Sequence, residues 1–302
     1  MSFIKKSKNN RSSQLVESDK TEMLLKRTFN YLQAGYSIHF TGPAGTGKTS
    51  IALALARKRK RPVMLIHGNH EMNNRDLIGD FTGYTSKKVI DQYVRTVYKK
   101  EESVSETWEN GRLLEAALNG YTLVYDEFTR SQPTTNNLFL SILEEGIIPL
   151  YGTKSIKPFA RVHPAFAVIF TSNPAEYAGV YQTQDALLDR LITIPVSYDK
   201  PEEEAHIVAE KSELDKEEAL YISQLVATLR EKCSYNDGKG PSLRSSLMLA
   251  SLASKQDIPI QPEDEGFQQL CLDILTYPLS QCLNEDDALK EAKKVIMEEL
   301  SK

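Results

Sequence analysis

Gly42, Pro43, Ala44, Gly45, Thr46, Gly47, Lys48 and Thr49 satisfy the pattern G-x-x-x-x-G-K-[ST]. Glycines at these positions let successive backbone N–H groups curl around phosphate oxygens, and a helix opening at their end adds its positive terminus. In such a loop Lys48 reaches the β- and γ-phosphates of a nucleoside triphosphate, and the Thr49 hydroxyl helps to hold Mg²⁺. Further along, Thr122-Leu123-Val124-Tyr125-Asp126-Glu127 is an apolar run ending on two carboxylates. Asp126 is suited to bind Mg²⁺ through water, and Glu127 to orient or deprotonate an attacking water. Phe166-Ala167-Val168-Ile169-Phe170-Thr171-Ser172-Asn173 ends on an amide able to hydrogen-bond both the γ-phosphate and that water. Asparagine is also common before proline in turns, and Pro174 follows. Arg190 closes Asp185-Ala186-Leu187-Leu188-Asp189-Arg190, where it would reach a γ-phosphate in a neighbouring subunit or pair with Asp189 and the helix dipole. Arg244 opens a later helix in Pro241-Ser242-Leu243-Arg244 and would contact the γ-phosphate of its own subunit, or else stand as a surface arginine.

These residues need elements that bring them together. The run Ser37-Ile38-His39-Phe40-Thr41 before the loop predicts a strand, and residues 48–59 a helix. Further strands are expected at 63–67, 121–125, 166–171 and 191–196, with helices at 19–34, 111–118, 134–145 and 184–190. Such alternation implies a parallel sheet covered on both faces, with ligands at the carboxyl ends of its strands. Residues 82–110 are polar and charged and read as an inserted arm; residues 147–157 read as a hairpin or loop around Gly152. Beyond residue 200 the strands give way to helical periodicity at 202–212, 216–232, 243–254, 263–275 and 286–300. The expected organisation is a polar tail over 1–18, an α/β nucleotide-binding unit over 19–200 and a small all-helical lid over 201–302.

Bulk properties narrow the class. The 302 residues, 40% hydrophobic and 26% charged, are enough for a substantial core. A net charge of −4 supplies no electrostatic footprint for nucleic acid, although a local basic groove stays open. Cys233, Cys271 and Cys282 are odd in number and widely spaced, so buried reduced thiols are expected rather than a disulfide framework or metal site. The absence of a signal-type segment and of a long apolar run gives a cytoplasmic, non-membrane expectation. His70-Glu71 starts like H-E-x-x-H, but Asn74 stands where the second histidine would be. Lys58-Arg59-Lys60-Arg61 is read as dipole pairing and solvation, Trp108 as packing against the core, and Arg130 as either a salt bridge or a contact across a subunit interface.

Together the phosphate loop, acidic strand end, Asn173, Arg190 and Arg244 resemble the AAA+ ATPase set over roughly residues 20–255. Asp76-Leu77-Ile78-Gly79, Asp126-Glu127-Phe128-Thr129-Arg130 and Val162-His163-Pro164-Ala165-Phe166 are similar to the MoxR branch and its CbbQ/NorQ neighbours. Ala34-Gly35-Tyr36-Ser37-Ile38-His39-Phe40, Glu176-Tyr177-Ala178-Gly179-Val180 and the string from Thr183 to Arg190 resemble the gas vesicle GvpN family more specifically. This resemblance implies an AAA+ fold with a five-stranded parallel sheet and a helical lid, using ATP and Mg²⁺. It also implies a ring of copies, expected to be a hexamer, acting on gas vesicle shell or accessory proteins to form or enlarge the vesicles. A CbbQ/NorQ-type activase that remodels a metalloenzyme would share every catalytic residue. A nucleic-acid motor would need a basic, aromatic-rich channel that this sequence does not display.

Overall fold

The computed structural model describes residues 19–89, 101–150, 158–173, 185–233, 240–283 and 287–302. The expectations for residues 1–18, Gly152, Pro174, the string Glu176 to Val180, and Thr183 and Gln184 lie outside them. In chain order the first elements are α1 (Asp19–Gln33), β1 (Ser37–Thr41), α2 (Lys48–Lys58), β2 (Val63–His67) and the short α3 (Asn74–Ile78). Then come β3 (Gly79–Val89), β4 (Glu101–Asn110), α4 (Arg112–Asn119), β5 (Thr122–Asp126), α5 (Pro133–Asn136) and α6 (Leu138–Glu145). Next are β6 (Ile147–Pro149), β7 (Phe159–Arg161), β8 (Ala167–Ser172), α7 (Asp185–Leu188) and β9 (Leu191–Pro195). The remainder is helical: α8 (Pro201–Ser212), α9 (Lys216–Glu231), α10 (Leu243–Lys255), α11 (Glu265–Ser280) and α12 (Ala288–Leu300).

Five strands pair in the order β2-β5-β8-β1-β9, every pair parallel. Strand alternation sends neighbouring side chains to opposite faces. Leu123 and Tyr125 of β5 join one layer with Leu113 and Phe139, while Val124 joins Ile51, Leu55 and Phe40 in the other. Both faces are covered, so β5 is buried from end to end. The register sets His67 opposite Asp126 and Thr41 opposite both Ser172 and Pro195, which brings the carboxyl ends of the strands level at one edge. The C-terminal helices share a separate apolar cluster that includes Val208, Ile222, Leu249, Phe267 and Ile296. In the last helix Ala292, Ile296 and Leu300 are buried in that cluster, while Leu289, at the same helical spacing, is exposed.

Several expectations shift in detail. The helix expected over 134–145 divides at Asn137, and the first piece is tied to other elements, with Thr135 Oγ1 donating to the Met72 carbonyl and Asn136 Nδ2 to the Phe128 carbonyl. Of the stretch expected as an inserted arm, residues 82–89 and 101–110 belong to an antiparallel ribbon of β3 and β4 that already begins at Gly79, with an irregularity between Thr82 and Tyr84. Trp108 packs against the core as expected, and β6 pairs antiparallel with β7. In the basic run Lys58, Lys60 and Arg61 are exposed as expected, whereas half-buried Arg59 donates to Thr122 Oγ1 and to the Ala165 carbonyl, both at 2.8 Å. The expectation of reduced thiols is corrected at two positions. Cys233 and Cys282 form a disulfide with Cα atoms 5.3 Å apart, although 49 residues separate them in sequence. Packing of α9, α10, α11 and α12 around one core closes that separation, and spacing along the chain carries no sign of it. Cys271 is free and buried, and burial pushes its thiol up to about 12.

His39 is a polar side chain in the middle of the sheet. It is 4% exposed, with Nε2 2.8 Å from Ser172 Oγ and Nδ1 3.1 Å from Thr193 Oγ1. Burial lowers its pKa from 6.5 to about 4. Between those values the unfolded chain binds more protons than the folded one, so this contribution is present at neutral pH and is lost as pH falls through the window. The expected loss by pH 5 is roughly 2 kcal/mol. NMR titration should show a neutral His39 at pH 5, and His39→Asn should flatten the fall of the unfolding midpoint between pH 7 and 5. A ring that titrates near 6.5 would contradict the assignment.

Candidate nucleotide-binding site

The phosphate loop leaves β1 and enters α2 through backbone that side chains rarely adopt, with φ of 150° at Gly42 and 80° at Gly47. Gly47 caps α2, and Lys48 is its first residue. Lys48 is buried and its Nζ donates to the Pro43 carbonyl at 2.6 Å, so the ammonium lies folded over the loop. The loop is held from outside as well. Val196 N donates to the Thr41 carbonyl at 2.7 Å, and the Tyr198 hydroxyl donates to the Ala44 carbonyl at 2.8 Å.

Three elements converge on Asp126 at the end of β5. Thr49 Oγ1 donates to Asp126 Oδ1 at 2.7 Å, and Thr171 Oγ1 donates to the same oxygen at 2.5 Å. His67 Nδ1, at the end of β2, lies 3.2 Å from Asp126 Oδ2. The next residue, Glu127, turns out of the strand into the left-handed region at φ 51°, and its N–H donates to Thr171 Oγ1 at 3.0 Å. That turn carries the Glu127 carboxylate away from Asp126 and toward Arg130, whose Nε lies 2.7 Å from Glu127 Oε2. Of the two readings of Arg130, the structure displays the salt bridge. Asn173 is buried just beyond β8.

A cavity of about 330 Å³ joins these groups. One wall is the phosphate loop with Asp126, Glu127, Arg130, Thr171 and Asn173; the other is helical, with Ile207, Lys211, Leu243, Arg244 and Leu247. Arg244 therefore faces the same space as Lys48, across from the loop. Arg190 does not line it. Its guanidinium pairs with Glu144 of α6 at 2.6 Å and donates to the Ala186 carbonyl. The pairing partner is thus Glu144, and not the adjacent Asp189.

Residues 37–191 match the family model described as AAA domain (dynein-related subfamily). The chain is 42% identical over 263 residues to the gas vesicle ATPase GvpN of Ancylobacter aquaticus, covering 87% of this chain and 73% of that relative. This chain belongs to the GvpN family of AAA ATPases. Against the gas vesicle ATPase GvpN of Haloferax mediterranei the identity is 35% over 268 residues, covering 88% of this chain and 75% of the relative. Protein CbbQ of Hydrogenophilus thermoluteolus is similar at 24% identity, over 72% of this chain and 74% of that protein.

In this member of the GvpN family the AAA match spans the phosphate loop, Asp126, Glu127, Asn173 and Arg190, and ends before the helices that carry Arg244. Sequence reasoning passed over His67, Thr171 and Tyr198. The first two stand at strand ends on the same edge as Asp126, so strand register is the signal that finds them. Tyr198 has no local signal, since its partner Ala44 lies 154 residues away.

Two glycines separate backbone strain from steric exclusion. A Cβ at Gly47 would meet nothing within 4 Å, whereas one at Gly42 would lie 2.1 Å from the Val196 carbonyl oxygen. Gly47→Ala is expected to lose about 1–2 kcal/mol of stability from its left-handed backbone. Gly42→Ala is expected to lose about 1–3 kcal/mol more, because the backbone at Val196, just after β9, must move. Denaturant unfolding without nucleotide checks the order, and equal losses would refute it.

Proposed function

We propose that this chain hydrolyses ATP at a site shared between neighbouring copies in a ring, expected to be a hexamer, and uses the cycle to drive assembly or growth of gas vesicles. The Thr49–Asp126 pair facing the phosphate loop, with Glu127 next in sequence, carries the catalytic part of this reading. Mg²⁺ fits the donor set. A hydroxyl and a carboxylate, 2.7 Å apart, offer hard oxygen ligands while leaving most of the coordination shell to water and phosphate. Thr49 and Asp126 would hold the ion, which neutralises phosphate charge when bound.

The protein groups then divide the work. Loop N–H groups and Lys48, released from the Pro43 carbonyl, bind the phosphates. Glu127 takes a proton from the attacking water, with Arg130 holding one carboxylate oxygen in place. Asn173 orients that water against the γ-phosphate, and Arg244 reports its presence to the helical lid. Arg190 acts on the site of the neighbouring copy. Its pair with Glu144 is partly exposed, and exposed pairs are worth only about 0–1 kcal/mol, so little opposes its release. The units at work are the nucleotide-binding residues 19–200 and the lid residues 201–302, a division supported by the lid's own apolar cluster.

The vesicle role rests on the names of relatives at 42% and 35% identity, against 24% for CbbQ. On this reading the protein works in the cytoplasm beside vesicle shell or accessory proteins. Among the described residues no helix is long and apolar enough to cross a membrane.

Glu127→Gln should keep ATP binding and lose turnover by on the order of 10²–10⁴. Arg190→Ala should bind ATP without hydrolysing it, and mixing the two variants should restore part of the activity. Wild-type turnover by Arg190→Ala alone would remove its role across the interface. In cells making vesicles, Glu127→Gln should leave them absent or undersized by electron microscopy; vesicles of normal size would remove the client assignment.

A further inference from the structure

Arg230, in the last turn of α9, is 13% exposed and uses its whole guanidinium at once. Its two Nη atoms donate to the carboxylate of buried Glu204 in α8, at 2.9 and 3.0 Å. Its Nε donates to the Pro241 carbonyl at 3.0 Å, and its Cζ lies over the Tyr198 ring, 3.9 Å from the centroid. Two of these contacts, to Tyr198 and Pro241, lead to elements of the nucleotide site. The Tyr198 hydroxyl holds the Ala44 carbonyl of the phosphate loop. Pro241 leads directly into Ser242, the N-cap of α10, whose Oγ accepts from Arg244 N at 3.3 Å. Ser242 also lies against the loop from the other side: a Cβ at Gly45 would come within 2.5 Å of it.

We propose that Arg230 and Tyr198 are positioning residues that hold the phosphate loop and the Arg244 helix in mutual register, so that closure of the loop on a γ-phosphate moves the start of α10. The chemistry on the loop side is specific. A trans peptide points its carbonyl and the following N–H in opposite directions. Tyr198 lies outside the cavity lining while Ala44 and Gly45 lie on it, so holding the Ala44 carbonyl outward aims the Gly45 N–H at the cavity. On the lid side, lysine cannot replace Arg230. A single ammonium does not supply a planar stack, a two-pronged contact and a third donor together. The inference rests on the reading of this cavity as an ATP site and adds to it the linkage between its two walls.

The test measures ATP dissociation constants and kcat for the wild type, Tyr198→Phe, Arg230→Lys and Arg244→Ala, with unfolding midpoints as a control. Tyr198→Phe retains the ring and removes one hydrogen bond. It should lower kcat about three- to tenfold with an unchanged midpoint. Combining it with Arg244→Ala should slow turnover no further than the slower single variant, because both act through one linkage. Arg230→Lys should match Tyr198→Phe. If Arg230→Lys unfolds the chain because a single ammonium leaves one oxygen of buried Glu204 without its donor, the paired change Glu204→Met with Arg230→Met removes the buried ions together and should fold while remaining slow. Wild-type kcat in Tyr198→Phe, full rescue by lysine, or additive effects with Arg244→Ala would each overturn the linkage. A wild-type protein that neither binds nor hydrolyses ATP would remove the underlying reading and this one with it, whereas wild-type turnover insensitive to Tyr198 removes only the linkage.

Discussion

A carboxylate that is 6% exposed at the end of a strand requires hydrogen-bond donors, and Asp126 draws them from two other elements. Thr49 reaches it from the first turn of α2 and Thr171 from β8. Those hydroxyls meet on one oxygen only if β5 and β8 pair in parallel with their ends level and α2 lies across the sheet from β1. The strand order and register supply that condition. The Thr171 hydroxyl also accepts from Glu127 N, so one side chain sets both the direction of Asp126 and the turn that carries Glu127 away from it. Two acids adjacent in sequence thereby acquire separate surroundings: one among hydroxyls and a histidine, the other beside an arginine.

What could be read from the chain was whatever its local pattern enforces. The phosphate loop is defined by glycines and by flanking elements within a few residues, and β1, β2 and α2 appear within a residue of where periodicity places them. The parallel sheet follows from the alternation of buried strands with helices. Where the reading missed, a distant partner decides. The short helix before Asn137 is tied to Met72 and Phe128, and the partner of Arg190 comes from α6. The partners of Arg59 and the Cys233–Cys282 pair are likewise set by tertiary packing. A single histidine or tyrosine near a strand end has no repeating pattern, so His67 and Tyr198 were visible only once the strands had been placed.

The site also shows how two apolar cores are joined by polar contacts. The sheet layers and the helical cluster each close on their own residues. Between them, the described contacts include Tyr198 against Arg230, Lys20 with Glu203, and Ser242 against the loop. Apolar packing resists sliding, whereas a few directional contacts can be exchanged at low cost. The boundary between the two walls is therefore where motion is cheapest, and it is where the nucleotide cavity lies.

The ends of the sheet have a consequence of their own. β2 and β9 are the outer strands, each five residues long, and β9 finishes on Pro195, which has no N–H to offer a neighbour. A short edge closed by proline is a poor template for another strand. At the β9 edge another copy of this chain would find side-chain surfaces and not a ladder to continue, so contact there would be reversible and open to adjustment by charge. A continuous β-ladder would instead lock neighbours at a fixed spacing and leave no freedom for a cycle of loosening and tightening.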